Sequence, residues 1–247
     1  LPALFLEEAD GARRALPTCT PEEEQAWTSV IRASVASVVA AAPRLPLPPS
    51  PDAQPQWTAS RVPGLAPNPD NRYLLAPVAW EAGRIVVIRG QAPTFVDTRA
   101  GESPTTPTDL RYWSFCTGSN VIDPPMAYPT TDCVGDFEIP VDEDGSYTIV
   151  ISQPEDQPAT ATAENGVAWL QGADPALPDL IAMRHMLPSE EFSAQSVWAV
   201  PEGEVGAAIA IMGPYYPETV YCDTATFEAG GADACFAQAE ATPTSSR

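Results

Sequence analysis

The chain has 247 residues, 44% of them hydrophobic, which suits one large domain or a domain with an arm and excludes global disorder. Thirty-three acidic residues oppose twelve basic ones, a net charge of −21, and all twelve are arginine. Without lysine there is no Schiff-base amine and no P-loop lysine, and the summed field repels nucleic-acid backbones and anionic membrane surfaces.

Solubility in a salty, acidic or extracellular setting accounts for the acidity most simply, with cation binding by acidic clusters as the sharper alternative. Twenty-nine prolines make long unbroken helices rare. No apolar run reaches about 18 residues, so no membrane span is expected. The opening LPALFLEEADGARR lacks a basic n-region followed by an apolar core. It is not expected to be a signal peptide, so export would require a leader already removed.

Residues 20–42, TPEEEQAWTSVIRASVASVVAAA, predict one helix. Thr20 suits the N-cap, Pro21 the first position, and Glu23 completes a capping box. Trp27, Val30, Ile31, Val35, Val38 and Val39 recur at helical spacing, and Arg32 is the one charge on the rest of the surface. A helix this poor in charge is buried on more than one side, against the protein's own sheet or against a partner chain. Trp27, Ile31, Val35 and Val38 form the candidate assembly face. Residues 43–71 carry nine prolines and read as an extended, solvated, semi-rigid connector, with recognition by an aromatic groove as the alternative.

From Tyr73 the pattern turns to short strands. YLLAPVAW and RIVVIRG flank EAG, a hairpin-like turn, and LRYWSFCT alternates. VGDFEIPV and SYTIVIS flank the turn DEDG, and GVAWL, DLIAMRHML and SVWAV follow. SEEFSAQS reads as one or two helical turns capped by Ser189. EVGAAIAIMG, PYYPETVYC, a Gly-Ala tail and a frayed ATPTSSR complete the chain. The expectation is a mainly β fold: a jelly-roll-like antiparallel β-sandwich with an N-terminal α-helix and a proline-rich connector. Its parts would be a helical arm at 1–43, the connector at 44–71 and the β domain at 72–247.

The five cysteines are Cys19, Cys116, Cys133, Cys222 and Cys235. Neither close pair has metal-ligand or redox C-x-x-C spacing, and the one histidine, His185, leaves no metal set. Local disulfides Cys116–Cys133 and Cys222–Cys235 are the simplest scheme of fifteen, and they imply an oxidising compartment. Cys116 would then end one strand and Cys133 would start the next. Buried thiols in a reducing compartment are the competing reading. Cys19 is left as the odd one.

Together, NPDNRYLLAPV, RIVVIRGQAPTF, LRYWSFC, EDGSYTIVIS and NGVAWLQG…LIAMRHMLP resemble a family of exported bacterial proteins built on a jelly-roll-like domain of unknown function. The resemblance covers about residues 68–200. It implies the fold and export, and no activity comes with it.

The catalytic constellations each lack a part. There is no G-x-S-x-G, and His185 sits in a strand on the face opposite Arg184 and Met186. Asp132, Asp136, Glu138 and Asp142 are candidate carboxylates for glycan hydrolysis, with solvated loop and strand edge as the plainer reading. The DEDG turn lacks the oxygen ladder of a calcium loop. Among aromatics, Tyr112 and Trp113 lie on opposite faces of one strand, so one is buried and the other is not. Tyr215 and Tyr216, in PYYP, suit an exposed protein or glycan contact. The expected function is therefore an exported, acidic, non-catalytic binding or assembly protein acting through its arm and connector, without cofactor or metal. A carboxylate-dependent hydrolase of glycans and a small-ligand carrier with an apolar cavity between the sheets are the alternatives.

Overall fold

A computed structural model describes residues 5–7, 13–15, 54–60, 68–119, 130–175, 179–204 and 206–241. The segment expected as a helix, with Trp27, Ile31, Val35 and Val38, lies outside these residues, as does most of the connector. Within the expected arm, β1 (Phe5–Glu7) and β2 (Arg13–Ala15) form a two-stranded antiparallel ladder.

The chain is mainly β. One sheet holds β3 (Thr58–Ser60), β4 (Asn71–Val78), β6 (Tyr112–Ser119), β7 (Thr130–Gly135) and β10 (Asp179–Met186), in the order β3-β4-β10-β6-β7. The other holds β5 (Arg84–Gln91), β8 (Ser146–Ser152), β9 (Val167–Gln171) and β11 (Glu218–Asp223), in the order β11-β5-β8-β9. Residue alternation assigns the faces. Leu74, Ala76 and Val78 of β4, Trp113 and Phe115 of β6 and Ile181 and Met183 of β10 join Val86, Ile88, Ile149 and Ile151 of the second sheet in one core. Thr117 Oγ1 donates to the Gln171 carbonyl at 2.6 Å, tying β6 to β9 across the two sheets.

The run RIVVI in β5 is apolar on both faces because both faces are covered. Val86 and Ile88 enter the shared core, whereas Ile85 and Val87 join Val150, Val220, Phe227 and Phe236 in a second cluster. That cluster lies beneath α2 (Thr224–Ala241), the segment read from sequence as a tail. Its Ala232, Cys235, Phe236 and Ala239 recur at helical spacing and face the sheet. Gly230 and Gly231 break its backbone, Gly231 at φ +64°, which favours glycine, and their presence hid the helix.

Several expectations need correction. EAG does not close a hairpin, since β4 and β5 belong to different sheets. The second sheet is mixed, because β8 and β9 are parallel. Val197–Ala199, in SVWAV, is a 3-10 turn, and Ala207–Met212 forms a short helix, α1, with Ala208 and Met212 in the core. The EIPV stretch leaves the ladder after Gly135 and returns only as a bridge from Val141 to Tyr147. Residues 54–60 of the connector are built into the domain rather than solvated. Trp57 is 1% exposed, packs edge-on to Phe115 and donates its indole N–H to Thr219 Oγ1 at 2.8 Å.

Both disulfides are present. Cys116 and Cys133 are direct partners in the β6–β7 register, so each lies inside a strand rather than at its end. Cys222–Cys235 joins β11 to α2 and fastens the helix over the sheet. The DEDG turn is as expected: Asp142 N donates to the Ser146 carbonyl, and Gly145 takes φ +83°. Ser189 caps the next turn, its Oγ accepting from Phe192 N.

Candidate functional site

The four aromatics singled out from sequence do not share a surface. Trp113 is fully buried against Phe115 and Tyr147, a core position that removes it as a contact residue. Tyr112 lies half-buried on the other face, against Gly135. Tyr215 packs edge-on to Phe192 at 4.8 Å, and both Tyr215 and Tyr216 lean on the main core rather than projecting from the PYYP loop.

Each named carboxylate is engaged by donors of its own turn or of a neighbouring strand. Asp132 accepts from Cys133 N and Gln171 N, Glu138 from Gly135 N, and Asp142 from Ser146 Oγ. Asp136 is buried and accepts from Trp113 N and Phe137 N, and burial pushes its carboxyl up. These bonds fix the backbone. Among the described residues, no group of three His, Cys, Asp or Glu side chains is placed to hold a metal ion.

His185 faces the core, as its alternation requires, and is fully buried. Its Nδ1 accepts from Val197 N at 3.4 Å, so the neutral ring carries its proton on Nε2. Burial lowers its pKa to about 3. This contact holds the start of the 3-10 turn that carries Trp198.

That turn and the connector form one wall each of a groove. β3 pairs Thr58–Ser60 with Leu75–Tyr73, placing the connector at the edge of the five-stranded sheet. Ser196 Oγ accepts from Trp198 N, Ala59 bridges Glu202, and Gly203 N donates to the Ala59 carbonyl at 3.2 Å. Between them lies a space of about 300 Å³ lined by residues that include Ala59, Arg72, Tyr73, Val197, Trp198 and Glu202.

The groove sets one guanidinium against an aromatic ring. Arg72 Cζ lies 5.3 Å from the Trp198 ring centre, and its Nη1 donates to the Asn71 carbonyl at 3.0 Å. Across the ladder from Tyr73 stands Arg184, with Cζ 5.2 Å from the tyrosine ring centre. Arg84, Arg89 and Arg99 make ion pairs, and Arg111 donates to the carbonyls of Pro104 and Thr106. Arg72 and Arg184 pair with no carboxylate among the described residues. The two lie on opposite faces of the sheet, since the ladder partner of Arg72 is the core-facing His185 and that of Arg184 is Tyr73, so the groove itself sets one guanidinium, Arg72, against the Trp198 ring with the Glu202 carboxylate on the same lining. Sequence reading missed it because Arg72 and Trp198 are far apart in the chain, and SVWAV passes for a strand.

No protein-family model matches the chain, and no curated protein does. A crystal structure of an uncharacterized protein from Burkholderia cenocepacia is similar at 14% identity with a TM-score of 0.40. That likeness covers 86% of this chain, which spans 56% of the other protein's length. Among the described residues, no helix is long and apolar enough to cross a membrane.

Proposed function

We propose that the chain is an exported, acidic, non-catalytic binding or assembly protein that contacts a protein partner or a second copy through its arm and connector. The connector junction carries this reading: residues 54–60 are anchored by Trp57 and wall a groove of about 300 Å³. An anchored junction fixes where an attached arm can reach. Two disulfides fit an oxidising compartment and hence export. The jelly-roll-like sandwich draws support from the chain path, which alternates between the two sheets over β4, β5, β6 and β7, β8 and β9, β10 and β11.

The test is sedimentation velocity on the full chain and on a variant with Trp27, Ile31, Val35 and Val38 each changed to Ser. A loss of the wild-type's larger species, with unchanged circular dichroism of the β domain, is the expected result. Identical sedimentation of the two proteins would refute the arm's role.

A further inference from the structure

Leu74, Ala76 and Val78 of β4 point into the shared core, so alternation puts Tyr73, Leu75 and Pro77 on the outer face of the five-stranded sheet. The register adds Arg184, Ala182 and Leu180 of β10, then Ser114, Cys116 and Gly118 of β6. A sheet face that meets water leaves such side chains partly exposed. Here Leu75, Leu180 and Ala182 are 6%, 2% and 9% exposed, and Ser114 is 1% exposed. The three apolar residues form a cluster of their own, and their further apolar neighbour among the described residues is Tyr73 of the same sheet. Helix α1 packs into the shared core and α2 over the other sheet, so neither accounts for this burial. Ser114 Oγ faces the same way and has no hydrogen-bond partner among the described residues. A buried hydroxyl in that state calls for a polar atom in the segment that lies over it.

We propose that this face is the seat of the helix expected over residues 20–42 of the same chain. The chain returns from residues 16–53 at Gln54, and by Thr58 it is paired with Leu75 at the edge of this face. At 1.5 Å per residue such a helix is about 35 Å long, enough to run the length of β4 and β10, about 27 Å. Its two sides differ. Ala26, Ser29, Ala33, Ala36 and Ala40 fall opposite Trp27, Ile31, Val35 and Val38 at helical spacing. The small side lies on the sheet. It lets the helix close on Leu75 and Leu180, and it brings the Ser29 hydroxyl to the face that holds Ser114. The Trp27 side is left outward for a second chain, which explains a helix without charge on either side. The orientation rests on the arm-mediated contact proposed above, and the seat adds where the arm is held and which side it presents.

The test replaces leucine throughout the full chain by photo-leucine, a diazirine analogue of nearly the same shape, and irradiates an equal mixture of light and heavy isotope-labelled chains. Adducts from position 75 or 180 to Ala33, Ala36 or Ala40, all within one chain, are the expected result. The Ala33→Glu, Ala36→Glu, Ala40→Glu triple variant, checked by near-UV circular dichroism for an intact core, should lose these adducts and bind more of a hydrophobic dye. No adduct to residues 20–42, adducts on Trp27, Ile31, Val35 or Val38 instead, light–heavy adducts, or adducts that persist in the triple variant would overturn the seat. Intrachain adducts in a protein whose sedimentation ignores the Ser substitutions would keep the seat and refute the arm's role in assembly. A sedimentation change without these adducts would keep the arm's role and lose the seat.

Discussion

Trp80 donates its indole N–H to the buried carboxylate of Asp179 at 2.5 Å, joining the link between β4 and β5 to the first residue of β10. Asp179 also accepts from Ala173 N and Leu180 N, so one carboxylate gathers three separate backbone segments. Trp80→Phe should lower stability by about 1–3 kcal/mol in urea unfolding, because it leaves the buried acceptor short of a donor. Gly172→Ala should also destabilise, since a Cβ there would come within 2.6 Å of the Trp80 ring. Wild-type stability in either variant would show the pairing to be dispensable.

The buried titratable groups set opposed pH dependences. His185 is neutral in the fold, with a pKa near 3 against about 6.5 unfolded, so the unfolded chain binds the proton first. Stability should fall as pH drops from about 6.5 toward 3, on the order of 4 kcal/mol from this group. Burial raises Asp136 and Asp179, so what they contribute is complete below about 3.8 and is lost as pH rises through their folded values. His185→Gln should flatten the acid side of a stability profile, and the wild-type imidazole carbon resonances should stay at their neutral positions down to about pH 4. A resonance titrating near pH 6.5 would place His185 in solvent.

Cys222–Cys235 fastens α2 over Ile85, Val87 and Val150. Replacing both cysteines with Ser should cost about 3 kcal/mol by the chain-entropy estimate for a loop of this length. It should also raise binding of a hydrophobic dye as Phe227 and Phe236 loosen from the sheet. An unchanged unfolding midpoint would assign the helix's retention to packing alone.

Much of the β domain is legible in the residues, for physical reasons that can be named. β4, β5, β6, β8, β9 and β10 announce themselves by alternation or by β-branched runs, and DEDG by turn chemistry. Both disulfides match the nearest-neighbour pairing, the simplest of the fifteen schemes that five cysteines allow. What fails is long-range pairing: nothing local distinguishes a β4–β5 hairpin from a crossover between sheets, or a parallel β8–β9 pair from an antiparallel one. Trp57 was hidden by the prolines around it, because composition reads as solvated linker while one large side chain still anchors the segment. Helix α2 was hidden by its glycines, though its apolar spacing was there to be counted. The groove required the fold first, since only the β3–β4 edge and the capped turn bring Arg72 to Trp198.

The central claim is that the arm makes the contact with another chain. Trp27 can be replaced by the photo-crosslinking residue p-benzoylphenylalanine and the protein irradiated as an equal mixture of light and heavy isotope-labelled chains. Adducts that join position 27 to a second chain, with light–heavy pairs where that chain is another copy, are the predicted result. Adducts confined to position 27 and residues of its own chain would contradict it.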